Sequence, residues 1–488
     1  MNVPLPPRLA RAALLAIPLL LGACRMTGPD YQRPALATPT DWRATPATAP
    51  APAAPLDPTW WRLYADPTLD DLATRALAAN QDLRKAVARL DEARSTLRAA
   101  VADSRPSATL SQTDTRSRTS ANGRQDNNNN ANGGGPALTR NNHRVTLDTS
   151  YEIDLWGRVR RSLENARAQL DAQDASTQTV LLTLTTDLAR NYFDLRALDA
   201  ELAVLDLTTA LRRAALATYR DRVAVGLGVD ADISRAETDL ANAEADTFDV
   251  ARRRARLETA LAVLCGEPPA TFRLPARSAP LALPPAVPPG LPSELLLRRP
   301  DIAEAERLAA AQSAAIGATK AGFLPTIKLT GSAGLESVEL KDVFSWDSRL
   351  WSIGPSVSLP VFKGAANRAN LQAVEARYDQ AVAEYRRRAL IAFREVEDAL
   401  GDARAYADQA AAQARALDAA RRTAAYYDQR LRGGLIGSLE AVDSQRSLLQ
   451  AERAAVQTLG NRYAASVQLI KALGGGWLPA ASAQPDRL

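Results

Sequence analysis

Few residues in this sequence could act on a substrate. There are two cysteines, Cys24 and Cys265, and one histidine, His143. A Ser-His-Asp triad away from His143, or a metal site built on histidines, is nearly excluded on that inventory, and no cofactor or catalytic residue is expected. Cys265 ends the apolar run Leu261-Ala262-Val263-Leu264-Cys265, where the expected role is that of a small buried hydrophobe. Cys24 has a different setting. Arg8 and Arg11 make a positive n-region, and Ala12 to Leu21 is an apolar run of about ten residues. That is too short for a bilayer span, which needs ~20. The run closes with Leu21-Gly22-Ala23-Cys24, which resembles a lipobox, where the leader is cut before a cysteine that takes a diacylglycerol. Each buried CH₂ adds ~0.8 kcal/mol, so several acyl chains anchor far more firmly than one. Arg25 stands where lipoproteins kept at the inner membrane usually carry Asp, which favours the outer membrane. With Cys24 acylated, Cys265 has no partner for an intrachain disulfide. One acidic pair also stands out: Glu440 and Asp443, spaced i, i+3, share a face of any helix that contains them.

Elements must position these groups, and composition limits what the elements can be. Hydrophobic residues make up 46% and charged residues 24%, so the chain should fold. Aromatic content is only 5%, and the helical stretches are rich in Ala, which suits closely packed helices better than one bulky core. The net charge of +5 becomes +3 when Arg8 and Arg11 leave. The basic residues are scattered among acids with no basic stripe, so no nucleic-acid partner is expected.

The chain repeats itself. Asp82-Leu83 matches Asp301-Ile302 and Pro106 matches Pro325, at an offset of 219; Tyr219 matches Tyr427 and Gly226-Leu227 matches Gly434-Leu435, at an offset of 208. The Asn/Gly run from Asn127 to Gly135 is the obvious place for the difference and reads as a flexible loop. The expected organisation is a signal peptide over 1–23, a lipidated extended tether over 24–59, a first repeat over 60–267, a Pro-rich linker over 268–293, a second repeat over 294–475 and a disordered tail over 476–488. Each repeat reads helix, strand, loop, strand, long helix, turn, long helix.

The strands alternate strictly. From Arg144 to Leu155, Val145, Leu147, Thr149, Tyr151, Ile153 and Leu155 fall on one face; Arg144, Thr146, Asp148, Ser150, Glu152 and Asp154 fall on the other. In the second repeat Trp351, Ile353, Val357, Leu359 and Val361 alternate with small polar residues, and Ile327 and Leu329 with Thr326, Lys328 and Thr330. A period of two with one apolar face suits a membrane barrel strand of ~9–11 residues. The strand after Pro106 is the weakest, with only Ala108 and Leu110 fitting. Leu181, Leu184, Leu188, Tyr192, Leu195, Leu198, Leu202 and Leu205 follow coiled-coil spacing. A helix over Arg158 to Asp221 would be ~96 Å long at 1.5 Å per residue, far beyond a bilayer core of ~30 Å, so it must pack laterally on other helices in water. Four strands cannot close a barrel, since the smallest have about eight. Several chains must therefore contribute, and spacing alone does not choose between two and three.

These features together resemble the outer-membrane factor (TolC-like) family, in its lipoprotein branch serving resistance-nodulation-division pumps. Gly28-Pro29-Asp30-Tyr31-Gln32-Arg33-Pro34, Trp60-Trp61-Arg62-Leu63-Tyr64, Leu297-Arg298-Arg299-Pro300-Asp301-Ile302, Phe323-Leu324-Pro325 and Trp351-Ser352-Ile353-Gly354-Pro355 carry the resemblance, in order, from about residue 24 to 478. The resemblance implies an α+β membrane protein: a homotrimer with a twelve-stranded outer-membrane β-barrel and a long periplasmic helical tunnel. A periplasmic adaptor and an inner-membrane pump would complete a conduit that passively exports drugs or other small toxic compounds. It implies that the tips at Gly226, Leu227, Gly434 and Leu435 dock the adaptor, and that Glu440 and Asp443 ring the closed aperture. Some family members tie that aperture with Tyr and Arg, where this chain has Leu431 and Ile436. Two alternatives stand beside this reading: the same architecture serving protein or polysaccharide secretion, and a non-channel coiled-coil lipoprotein.

Overall fold

The computed structural model describes residues 26–43, 56–120, 139–277, 282–288, 292–433 and 435–477. The leader over 1–23, Cys24, the Asn127–Gly135 run, Gly434 and the tail from 478 onward lie outside the described residues. The chain forms two compact units. The first gathers the chain up to Pro34, Asp91–Asp171 and Glu306–Ala383; the second gathers Ala35–Leu90, Ala172–Ala305 and Glu384–Leu488.

The first unit is built on a four-stranded antiparallel sheet in the order β1-β2-β3-β4. Its strands are β1 (Ser107–Arg118), β2 (Thr139–Ile153), β3 (Thr326–Ser337) and β4 (Arg349–Ser358). The register aligns Leu110, Leu147, Ala333 and Trp351 in one row, and Ile153, Ile327 and Val357 in another. Directly opposed residues share a face, so one face collects the apolar set and the other collects Asp148, Glu152, Lys328 and Ser352. The apolar face is uncovered in the single chain: Leu110 is 73%, Trp351 76% and Ile353 71% exposed. On the polar face Ser332 donates to Asp148 at 2.6 Å. The strands outrun their apolar alternation: β2 begins at Thr139 and not Arg144, and β1 continues past Leu110 to Arg118. The backbone ladder carries those extensions, and they need no apolar side chains to form. The outer edges of β1 and β4 have no partner strand within the described residues.

In the same unit the segment expected as a tether is extended, but it is laid down on its neighbours. Thr27 donates its backbone N–H to the Trp156 carbonyl at 3.0 Å and its hydroxyl to the Gly317 carbonyl. Gly28 has φ of +87°, and a Cβ there would lie 2.4 Å from Gly317 Cα, so two glycines make the contact possible. The buried Arg161 reaches Asp30 at 2.7 Å.

The second unit holds α1 (Pro67–Ala79), most of two helical hairpins and short α5 (Pro292–Arg298). The remaining helices are α2 (Gln81–Asp103), α3 (Arg158–Ala224), α4 (Asp230–Leu264), α6 (Pro300–Ala321), α7 (Gly364–Arg432) and α8 (Ser438–Ala472). Helices α3 and α7 have 67 and 69 residues, and each belongs partly to both units. Of the eight coiled-coil positions, Leu181, Leu198 and Leu202 are half-buried, and Leu184, Leu188, Tyr192, Leu195 and Leu205 are buried, with Leu188 at 1% exposure. Each such side chain contributes ~1.5–3 kcal/mol relative to exposure. Phe193 stacks on Tyr463 at 4.3 Å, and Tyr64 joins them, its hydroxyl bonded to Ser466. Phe272, in the Pro-rich linker, is buried in this core.

The repeat is visible in the element bounds. Ser107 to Thr326 and Arg118 to Ser337 are both 219 residues; Asp230 to Ser438 and Leu264 to Ala472 are both 208. The joints repeat as well. Gly266, with φ of +70°, packs against the Ala79 carbonyl that ends α1; Gly474, with φ of +90°, packs against the Arg298 carbonyl that ends α5. The carbonyls left unpaired at the helix ends are met in kind: Asn80 donates to Leu264 O at 2.9 Å and Arg299 to Ala472 O at 3.1 Å.

Candidate functional site

The residues singled out in the sequence concentrate at the turns of the two hairpins, both in the second unit. Helix α3 ends in a left-handed cap. The Gly226 N–H bonds to Val223 O at 3.0 Å and the Leu227 N–H to Arg222 O at 2.8 Å. Gly226 has φ of +75°, and a Cβ there would meet nothing within 4 Å. The backbone conformation, and not close packing, calls for glycine at this position. The second turn repeats the outer bond, Leu435 N–H to Arg430 O at 2.9 Å; Gly434 itself is not described. Both turns hold leucine out to solvent, Leu227 at 70% and Leu435 at 68% exposure, flanked by exposed Val225, Val229 and Leu439. Five uncovered apolar side chains at two turns are unusual for a surface that meets only water.

Glu440 lies exposed in the first turn of α8, and Asp443 one turn further on. Their neighbour on the same helix is Arg446. Its guanidinium is 3.6 Å from the Asp443 carboxylate and 2.5 Å from that of Asp239, a buried acid on α4. The hydrogen bond to Asp239 raises the pKa of Arg446, keeping it cationic. One heptad on, Arg453 bonds Glu201 at 2.9 Å and Asp246 at 2.8 Å. Ion pairs thus tie the second hairpin to the first, and two of these rungs, Arg446–Asp239 and Arg453–Asp246, repeat one heptad apart between α8 and α4. The Asp443–Arg446 spacing was legible, but the Asp239 rung joins residues far apart in the chain.

Leu431 and Ile436, noted where some family members carry Tyr and Arg, line a cavity of about 220 Å³ with Tyr219, Arg222 and Asp232. A second cavity, of about 280 Å³, lies between the hairpins and is walled by Leu207, Leu211, Leu431, Val442 and Leu448. Burial desolvates Arg212 beside it and lowers its pKa. Cys265 lies away from both. It is fully buried, and burial pushes its thiol up to about 11, which makes it inert as a nucleophile.

Known proteins resemble this chain in sequence and fold. The family model described as "Outer membrane efflux protein" matches residues 72–267 and 291–475. The antibiotic efflux pump outer membrane protein ArpC of Pseudomonas putida is 32% identical over 470 residues, covering 95% of each chain. The solvent efflux pump outer membrane protein SrpC of Pseudomonas putida is 33% identical over 465 residues, covering 94% of this chain and 97% of its own. Among solved structures, the open state of the Neisseria gonorrhoeae MtrE outer membrane channel superposes with a TM-score of 0.80 at 29% identity, covering 93% of this chain and 98% of that one. The chain belongs to the outer membrane efflux protein family and is an outer-membrane channel component of an efflux system.

Proposed function

We propose that three copies of this chain form a passive conduit, anchored by a lipid on Cys24, that carries drugs or other small toxic compounds across the periplasm and the outer membrane. The observation that carries this reading is the sheet: one uncovered apolar face, one polar face, and two edges without partner strands among the described residues. Exposed edges invite pairing, and a membrane sheet must close on itself because lipid offers its backbone no partners. A single chain supplies too few strands to close, and three supply twelve. The polar face, with Asp148, Glu152 and Lys328, then lines a watery lumen. The names of ArpC and SrpC support antibiotics and solvents as cargo classes.

The tips are read as the docking point for a periplasmic adaptor, itself joined to an inner-membrane pump of the resistance-nodulation-division type. Exposed Leu227 and Leu435 on tightly capped turns support this, since apolar anchors on rigid turns are what a partner groove takes. Glu440 and Asp443 are read as a three-fold acidic ring at the aperture. The Arg446–Asp239 rung supports a closed state held partly within each chain. In the source bacterium, deleting the gene should lower resistance to exported antibiotics or solvents, and this chain should restore it. Leu227→Asp with Leu435→Asp should leave trimers in the membrane and restore nothing. Full resistance from that double variant would show that the tips do not dock.

A further inference from the structure

We propose that the outward face of the sheet, beyond its apolar band, is a binding surface for phosphorylated lipid headgroups of the outer leaflet, formed by Arg116, Arg118 and Arg349. The orientation rests on the conduit reading above: the strand ends next to α2 and α3 face the periplasm, so the ends at Arg118, Thr139, Ser337 and Arg349 face outward from the cell.

The register assigns the face. Leu110 opposes Leu147, Gln112 opposes Val145, Asp114 opposes His143, Arg116 opposes Asn141 and Arg118 opposes Thr139. Alternation keeps Leu110, Gln112, Asp114, Arg116 and Arg118 on one face of β1. Arg349 opposes Leu335, which opposes Val145, so it shares that face and its last apolar row. With a rise of ~3.4 Å per residue and a tilt of ~40°, Arg116 stands about 10 Å beyond that row along the membrane normal. A headgroup layer begins where apolar rows end.

The charges on the two faces are handled differently. On the polar face acids and bases meet: Arg158 bonds Glu152 at 2.7 Å, and Arg144 approaches Glu336 at 3.9 Å. On the outward face Arg116, Arg118 and Arg349 are exposed and form no ion pair among the described residues. The acid beside the arginines on that face of β1, Asp114, is taken by His143 Nδ1 at 2.6 Å and Gln112 Nε2 at 3.0 Å. The Arg349 guanidinium lies 3.9 Å from the centre of the Trp346 ring, and an aromatic side chain with a cation is the pairing found at membrane interfaces. Guanidinium groups match phosphate bidentately. In the three-chain barrel the β4 edge of one copy meets the β1 edge of the next. Arg349 then adds to the neighbouring copy's arginine pair.

The test uses the full-length purified protein in detergent, titrated with fluorescent lipid A, a bis-phosphorylated glycolipid. The same lipid with both phosphates removed is the control, and inorganic phosphate is the competitor. The unmodified protein should bind lipid A at least tenfold more tightly than the dephosphorylated lipid. Arg116→Ser with Arg118→Ser and Arg349→Ser should lose that difference, and the three Arg→Lys changes, which keep the charge but lose the bidentate fork, should keep only part of it. Millimolar inorganic phosphate should not displace the lipid. Equal binding of the two lipids, unchanged binding by the triple Ser variant, or displacement by inorganic phosphate would each overturn the proposal. Arg349→Ser alone, which leaves β1 intact, should weaken binding at least threefold and stands in if the triple variant fails to assemble. Channel conductance measured on the same samples separates the two readings: conductance with failed lipid binding defeats only this proposal, and absent conductance defeats the conduit.

Discussion

At the scale of single residues, chemistry is sparse and placement is what counts. Cys24 and Cys265 show this. From the Leu21-Gly22-Ala23-Cys24 pattern, labelled palmitate should enter the natural protein and not the Cys24→Ser variant; equal labelling of both would remove the anchor from the account. Cys265 packs at 0% exposure with its Sγ 3.7 Å from Leu72 O, and its pKa is pushed up to about 11 by burial. At pH 8 its thiolate fraction is therefore far below that of a free cysteine, and a thiol reagent should modify it only after unfolding. Rapid labelling of the folded protein would contradict its burial. The acid pair was legible from its i, i+3 spacing. Its counter-ion network was not, because Asp239 reaches Arg446 only through the packing of α4 on α8. If Glu440 and Asp443 ring the aperture, Glu440→Gln with Asp443→Asn should relieve block by divalent cations added from the periplasmic side and reduce cation selectivity. Unchanged block and selectivity would show that these residues form no ring.

At the scale of elements, periodicity carried most of the information. The face assignment on β2 and the buried stripe on α3 follow directly from steps of two and of three and four. The strand extensions beyond the apolar band were illegible, because a ladder held by backbone bonds leaves no hydropathy signal in Asp114 to Arg118. The helix-end joints were also hidden: nothing local in the sequence shows that Gly266 and Gly474 each lie against a carbonyl. Both have positive φ, and an added Cβ would come within 2.4 Å of Ala79 O and 2.0 Å of Arg298 O. Left-handed strain of ~1–2 kcal/mol together with overpacking of ~1–3 kcal/mol should make Gly474→Ala destabilising by roughly 2–5 kcal/mol. Heating in detergent should release monomer from that variant at a clearly lower temperature. Gly226→Ala meets no neighbour and should cost only the backbone strain, roughly 1–2 kcal/mol. Equal losses at the two sites would mean that the close contact at Gly474 contributes nothing.

At the scale of the whole molecule, one chain is incomplete. Its sheet has an uncovered apolar face and, among the described residues, two edges without a partner strand, and its hairpin turns hold leucine in solvent; Glu440 and Asp443 would form a ring only if repeated around an axis, as proposed above. A lone chain would leave backbone donors and acceptors unpaired in lipid, and each would cost several kcal/mol. Assembly of identical copies removes that cost. The number of copies was never legible in strand spacing, because eight and twelve strands both close. The central claim is that the assembled chain is a water-filled conduit, and single-channel recording in planar bilayers tests it most directly. The purified oligomer should give discrete, cation-preferring current steps. A pure, correctly assembled oligomer that inserts and passes no current would contradict the account.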